Sequence, residues 1–379
     1  MDFMLTDEQK LIQQTVREFA QNEVAKDAAE RDRTETFPEH HVKKMAELGL
    51  MGMMTPTEYG GGGLDTISYT LVIEELSKVD ASVGVICSVN NSLVCYVIEA
   101  FGNEEQKQKY LVPLAKGEKL GAFCLSEPGS GSDAANMKTT AVLRDGYYYI
   151  NGTKNWITNG KNANYYIVTA HTDPTGGHRG ISAFIVEKEF PGFSVGKKER
   201  KLGIRSSDTV TINFEDCKVP AQNRLSEEGD GFRIAMKTLD GGRIGIAAQA
   251  LGIAQGSLEA AINYSKERVQ FGKPISQFQA IQFKLADMET KTTASRLLIH
   301  RAAWKKDHDL SFSMDAAMAK VHASEAAVFC STEAVQIYGG YGYIKDYPVE
   351  RFMRDSKITE IYEGTSEIQR IVIGRGLLK

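Results

Sequence analysis

The sequence predicts an α+β chain: an N-terminal helical domain over residues 1–120, a middle β-sheet domain over 121–228 and a C-terminal helical bundle over 229–379. Three observations carry that division. Apolar residues recur at helical spacing through the first third. From Gly121 the segments shorten and become β-branched or aromatic between turn residues, and after Gly231 long amphipathic runs return.

Each element has a local reason. Thr6 with Gln9 is a capping box ahead of Ile12, Val16, Phe19 and Val24. Pro38 suits the first turn of a second helix whose stripe is Val42, Met45 and Leu48, stopped by Gly49. Gly60 to Gly63 reads as a flexible loop, and Asp65 caps a helix carrying Ile67, Leu71 and Leu76. Ala81 to Ala100 is apolar enough to be buried nearly all round, so Ser88, Asn90, Asn91 and Ser92 either find partners inside the protein or mark a pocket wall. Asn103 with Gln106 opens a helix expected to end near Pro113. In the middle region, Asp145-Gly146 joins Thr139–Leu143 to Tyr147–Ile150 as a hairpin; Tyr165–Ala170, Ile181–Val186 and Thr209–Phe214 are further strands, closed by Val219-Pro220. Ile275–Leu298, Met314–Ile337 and Ile361–Leu377 are the amphipathic runs of the bundle.

Composition removes several classes of function. A 42% hydrophobic, 25% charged chain of 379 residues with net charge −4 is ordinary for a globular protein and gives no footprint for nucleic acid or an anionic membrane. No apolar run is expected to span a bilayer, since Val83–Val89 ends at Asn90-Asn91, and the acidic N-terminus shows no export signal. Five scattered cysteines fit reduced thiols in a cytoplasmic protein, and the absence of CxxC and HExxH spacing argues against a metal.

The chemistry is placed on Tyr362-Glu363-Gly364-Thr365: a carboxylate able to act as a base, a glycine that leaves room for a flat ligand, and a hydroxyl. Read alone, the same four residues are a helix end with its glycine, followed by a Thr cap. Phe123-Cys124-Leu125-Ser126-Glu127-Pro128-Gly129-Ser130-Gly131-Ser132-Asp133 is a polar glycine-rich loop, and Trp156-Ile157-Thr158 sets a flat ring and a hydroxyl on one face of a strand.

With Leu239-Asp240-Gly241-Gly242-Arg243, Arg268-Val269-Gln270-Phe271-Gly272 and Gly339-Gly340-Tyr341-Gly342-Tyr343, these motifs resemble the acyl-CoA dehydrogenase family along essentially the whole chain, most of all its short-chain, butyryl-CoA members. The resemblance implies a helical domain, a β domain and a C-terminal four-helix bundle, assembled as a homotetramer (dimer of dimers). It implies one FAD per subunit, an acyl-CoA substrate and electron-transfer flavoprotein as partner. It places Phe123, Leu125, Ser126, Trp156 and Thr158 around the flavin ring. Arg268, Gln270, Phe271, Gln279, Gln336 and Gly340 fall on the FAD pyrophosphate and adenosine, with Thr365 and Glu367 as further FAD contacts. Ser132, Asp240, Arg243 and Gly364 fall around the CoA thioester.

The implied reaction oxidises a saturated acyl-CoA to its trans-2-enoyl-CoA, Glu363 taking the proton from the α carbon while the β carbon gives hydride to the flavin. A carboxylate at its usual ~4.3 is a weak base for that work, so the site should raise it toward ~6 to 7, chiefly once the acyl chain excludes water. Related enzymes of the isovaleryl-CoA type carry the base at the position of Gly242, which leaves Glu363 as the base here. No Arg lies between Asp80 and Gly102 to meet a dicarboxylic substrate, and Tyr96, Ile98 and Glu99 are expected to close a pocket of about four carbons by family analogy. The alternatives are a short branched or alicyclic acyl-CoA dehydrogenase and an acyl-CoA oxidase.

Overall fold

The computed structural model describes residues 4–378. Its first helix, Asp7–Asn22, starts on the expected capping box: the Thr6 hydroxyl accepts from the Gln9 amide at 3.2 Å and the Gln9 side chain accepts from the Thr6 amide at 3.0 Å. Asp65 caps Thr66–Ser77 by accepting from the Ser68 amide at 2.7 Å. Three expectations change in this region. A short helix, Ala28–Thr34, precedes Glu39–Glu47, and Leu48 is exposed because the chain swings into a left-handed turn at Gly49 and gives the core Leu50 and Met51 instead. The Gly60–Gly63 loop is tied down, its amides at 61, 62 and 63 donating to the carbonyls of Pro56, Gly52 and Thr55. The helix opened by Asn103 runs past Pro113 to Ala115, because a wide π-helical turn over Lys107–Leu111 removes the need for the proline's missing donor.

Ala81–Phe101 is one helix of 21 residues, long and apolar enough by length and composition to cross a membrane, contrary to the shorter run expected. Its most apolar window is 94% buried inside the protein, and Ser88, Asn90, Asn91 and Ser92 have internal partners. The Asn90 amide donates to the Met51 carbonyl at 2.7 Å and its oxygen accepts from the Gly121 amide at 3.0 Å. Asn91 bonds the Leu50 carbonyl and the Met53 amide, Ser88 the Tyr69 hydroxyl, and Ser92 the Ser88 carbonyl. Asn90 therefore fixes the entry to the sheet against the first helical region, and the other three bind that region to itself.

The sheet has eight strands: β1 (Gly121–Cys124), β2 (Thr140–Arg144), β3 (Tyr147–Thr158), β4 (Tyr165–His171), β5 (Ile181–Glu187), β6 (Phe193–Lys198), β7 (Thr209–Pro220) and β8 (Arg224–Leu225). Their order is β6-β7-β3-β2-β4-β5-β8, with β1 parallel to β4. The Asp145-Gly146 hairpin forms as expected, both residues at positive φ. β1, β6 and β8 were not among the expected strands. Because side chains alternate, Tyr166 and Val168 face one core with Phe184 and Val186, while Ile167, Ala183 and Ile185 join the larger core formed by the helices.

The bundle is built on Gly231–Glu267, a helix of 37 residues. Ser313–Tyr338 packs along it and also against Gln279–Asp307 and Ser366–Leu377. A short helix, Val349–Ser356, was not expected, and the final helix starts at Ser366, capped by Thr365, rather than at Ile361. Gln249 on the long helix donates to the Ala81 carbonyl at 2.8 Å and accepts from the Tyr362 hydroxyl, so the last turn of chain before Glu363 is seated on both helical regions.

Candidate active site

Glu363 and Gly364 stand in two successive left-handed conformations, φ 51° and 93°, between a short 3-10 turn and the capped final helix. A left-handed residue other than glycine costs on the order of 1–3 kcal/mol and persists only where its surroundings hold it. Here the Gly364 carbonyl accepts from Gln369 Nε2 at 2.8 Å and from Lys320 Nζ at 2.6 Å, both donors belonging to fully buried side chains. The Thr365 hydroxyl accepts from the Ile368 amide at 3.3 Å, so the turn is pinned from both ends.

The carboxylate lies against the long helix. A Cβ added at Gly242 would stand 2.2 Å from Glu363 Oε2 and 2.7 Å from a Leu93 methyl, so the absence of a side chain at 242 is what admits this one. Oε2 is shut from solvent and accepts no hydrogen bond. Burial raises the Glu363 carboxyl to about 7, with the positive charges of Lys320 and Arg243 pulling the other way. That rise was expected chiefly with an acyl chain bound; the protein's own walls already produce it. Arg243 is buried, paired with Asp240, which also accepts from the Ser313 hydroxyl at 2.9 Å, and its Nε has no partner.

The sheet side presents a second group. The Ser126 carbonyl accepts from the Asn155 amide at 2.8 Å, joining the glycine-rich loop to the strand that carries Trp156 and Thr158. Lys154, fully buried, donates to the Leu125 carbonyl at 3.1 Å and to Glu127 at 2.8 Å. Phe123, Leu125, Ser126 and Thr158 are half-buried, and Ser132 is exposed farther along the loop. The strand is not regular at Trp156: a bulge lies between Lys154 and Ile157, and Trp156 has φ 63° with 61% of its surface open, while Ile157 between it and Thr158 is buried.

A third group meets in a cleft of about 580 Å³ lined by Tyr264, Arg268, Gln270, Tyr338, Gly340 and Tyr341. The Arg268 guanidinium sits 5.4 Å from the centre of the Tyr341 ring. Phe271, 94% exposed, lies outside that lining, as do the exposed Gln279 and Gln336. Glu367 is exposed on the first turn of the final helix. A separate cleft of about 620 Å³, lined by Arg31, His41, Lys161 and Asp208 among others, contains none of the expected residues.

Sequence reasoning missed Lys320, Gln369, Lys154 and Glu127. Two of them left a signal. Lys320 falls on the buried stripe Ala316, Ala323 and Ala327, and Lys154 keeps the inward phase of Tyr148 and Ile150. A lysine in an apolar register is a buried charge, and a buried charge has a job.

Three family models match the chain in order: the N-terminal domain of acyl-CoA dehydrogenase over residues 6–118, the middle domain over 122–217 and the C-terminal domain over 229–378. The chain belongs to the acyl-CoA dehydrogenase family. It is similar to the short-chain specific acyl-CoA dehydrogenase of Clostridium acetobutylicum, 56% identical over 98% of each chain. It superposes on butyryl-CoA dehydrogenase from Megasphaera elsdenii with a TM-score of 0.99, at 51% identity and full coverage of both chains. A chain from a study of the electron transferring flavoprotein of Acidaminococcus fermentans and flavin-based electron bifurcation also matches, with TM-score 0.99, 54% identity and full coverage of both chains. As an acyl-CoA dehydrogenase the protein is a flavin oxidoreductase, with the α+β architecture of that family.

Proposed function

We propose that this acyl-CoA dehydrogenase oxidises a short, butyryl-like acyl-CoA to the trans-2-enoyl-CoA, with Glu363 as the base at carbon two, FAD as cofactor and electron-transfer flavoprotein as acceptor. The observation that carries the reading is the half-buried Glu363 carboxylate: its Oε2 is shut from solvent without a hydrogen-bond partner, and the group is raised by burial to about 7. A base with that value is half ionised near neutral pH and strong enough to take a proton from carbon. The acceptor is carried over from the electron-transferring-flavoprotein match, and the chain length from the short-chain and butyryl-CoA relatives.

The residues suit a flavin. Trp156 is large, open and held in a strained backbone, an arrangement that a ring stacked on it would stabilise, and Ser126 and Thr158 offer hydroxyls beside it. Phe123 and Leu125 would line the same ring. Arg268 makes no ion pair among the described residues and shares its cleft with Gln270 and Gly340, which suits a diphosphate. Gln279, Gln336, Phe271, Thr365 and Glu367 are proposed for the remaining FAD contacts. FAD, when bound, supplies the hydride acceptor. Everything else falls to the chain: Gly242 leaves space for the carboxylate, the long helix shields its Oε2 from solvent, and the carboxylate receives the α proton.

Asp240, Arg243, Ser132 and Gly364 are proposed to hold the CoA thioester, and half-buried Tyr96 and Glu99, with the fully buried Ile98, to close the acyl pocket. The exposed rings of Phe271 and Tyr343 favour the homotetramer. Domain boundaries at 120/121 and 228/229 and a cytoplasmic setting for the five free cysteines belong to the same proposal. The test is Glu363→Gln, expected to keep FAD and acyl-CoA binding while losing on the order of 10³-fold or more in kcat. Turnover within tenfold of wild type would refute the assignment. A ladder of straight and branched acyl-CoA thioesters, read as kcat/KM, is expected to peak at four straight carbons.

A further inference from the structure

Lys320 is fully buried on the inner face of the Ser313–Tyr338 helix, with Ala316, Ala323 and Ala327 around it. Its Nζ makes one hydrogen bond, to the Gly364 carbonyl at 2.6 Å, and pairs with no carboxylate at ion-pair distance among the described residues. A buried ammonium without such a partner is costly, and an apolar side chain would fill the same space without that cost. The buried face it interrupts is otherwise small side chains, mostly alanine with Ser324, so packing does not account for a lysine here. What the lysine reaches is the carbonyl that follows the proposed base, in a turn whose Glu363 holds a left-handed conformation that needs outside support.

We propose that Lys320 is a positioning residue for the base: from inside the bundle it locks the Glu363–Gly364 turn through the Gly364 carbonyl and sets a cation beside the carboxylate. This rests on Glu363 being the base. Gln369 Nε2 supports the same carbonyl without charge, so the two donors divide the work: Gln369 gives shape, and Lys320 gives shape and charge. The charged and titratable groups around the pair come from every element packed on the turn. Arg243 from the long helix adds to the positive charge on Glu363; Tyr69 and Tyr362 are phenols within the field of Glu363; Glu360 and Glu367 act on Lys320 from the exposed side. The Lys320 ammonium, hydrogen-bonded to the carbonyl of the residue that follows Glu363, favours the ionised carboxylate, as Arg243 does. Removing it therefore makes the carboxylate harder to ionise.

The experiment compares the FAD-loaded tetrameric or native-state enzyme with Lys320→Met, Lys320→Arg and Glu363→Gln. Its readouts are the pH profile of kcat, KM, and an infrared titration of the Glu363 carboxyl identified as the band missing from Glu363→Gln. Lys320→Met is expected to keep KM within about twofold, to lose roughly 10- to 100-fold in kcat at neutral pH, and to move both the acid limb and the infrared titration upward by about one pH unit or more. Lys320→Arg, which keeps the charge, is expected to hold the titration at its wild-type position. If Lys320→Met yields no flavin-bound protein, Lys320→Gln replaces it, with the same upward movement expected. An unmoved titration in the neutral variant overturns the proposal. If instead Glu363→Gln retains turnover, the base assignment itself fails, which is a separate outcome from a dead Glu363→Gln beside an unshifted Lys320→Met.

Discussion

Two places in this molecule set a buried lysine near a glutamate, and they are built in opposite ways. On the sheet side, Glu127 accepts from Lys154 and from the amides of Lys138 and Thr139, and although burial pushes its carboxyl upward, these partners bring it below the ordinary value. On the helical side, Glu363 has an oxygen with no partner and sits at about 7, while its lysine donates to a backbone carbonyl instead. The difference separates holding from reacting. A carboxylate whose lone pairs are filled is fixed as an anion and serves the loop it anchors; one with an oxygen left unpartnered and shielded stays free to take a proton.

The comparison can be broken at either end. The largest effect is expected from Lys154→Met, which strands Glu127 in the core and should cost ~3–5 kcal/mol of stability by denaturant melt, with Lys154→Met/Glu127→Leu recovering most of it. A small loss in the single variant would mean the sheet-side pair is not structural. The helical-side carboxylate should behave in reverse. Its folded value lies above its unfolded value, so the stability tied to its protonated form is complete below about 4.5 and disappears as pH rises through about 7. Glu363→Gln, always neutral, is therefore expected to be more stable than wild type by ~2–3 kcal/mol at pH 8 and little different at pH 4. Equal melting of the two proteins at both pH values would contradict the unpaired, buried carboxylate.

Gly242→Ala sharpens the geometry. The new methyl would meet Glu363 Oε2 at 2.2 Å, so the base must shift, and kcat is expected to fall roughly 10- to 100-fold with FAD retained. The smallest effect is expected at the cleft: Arg268→Lys should loosen flavin by ~1 kcal/mol, seen as faster loss of the yellow cofactor on dilution, with kcat unchanged at saturating FAD.

Much of this was legible before the structure. The capping pairs at Thr6 and Asp65 and the Asp145-Gly146 hairpin are set by local chemistry and form where that chemistry puts them, while the long bundle helices form with shifted ends. What stayed hidden depends on tertiary contact. Leu48 is apolar and in phase yet exposed, since only the turn at Gly49 decides which side of the chain meets the core. The bulge that turns Trp156 outward comes from pairing between β3 and β7. Glu363 could be singled out as a carboxylate beside a glycine, but the shielding of its Oε2 depends on Gly242 from a distant segment, and Lys320 meets the Gly364 carbonyl only once the bundle is packed.

Glu363 can be tested apart from hydride transfer by using acetyl-CoA, which has hydrogens on carbon two and no β carbon to oxidise. In deuterated water the FAD-loaded enzyme is expected to exchange those hydrogens with an acid limb near the value of about 7 carried by the carboxyl, and Glu363→Gln is expected to lose that exchange by roughly 10³-fold. Exchange that continues at the wild-type rate in Glu363→Gln would show that the proton goes to some other group.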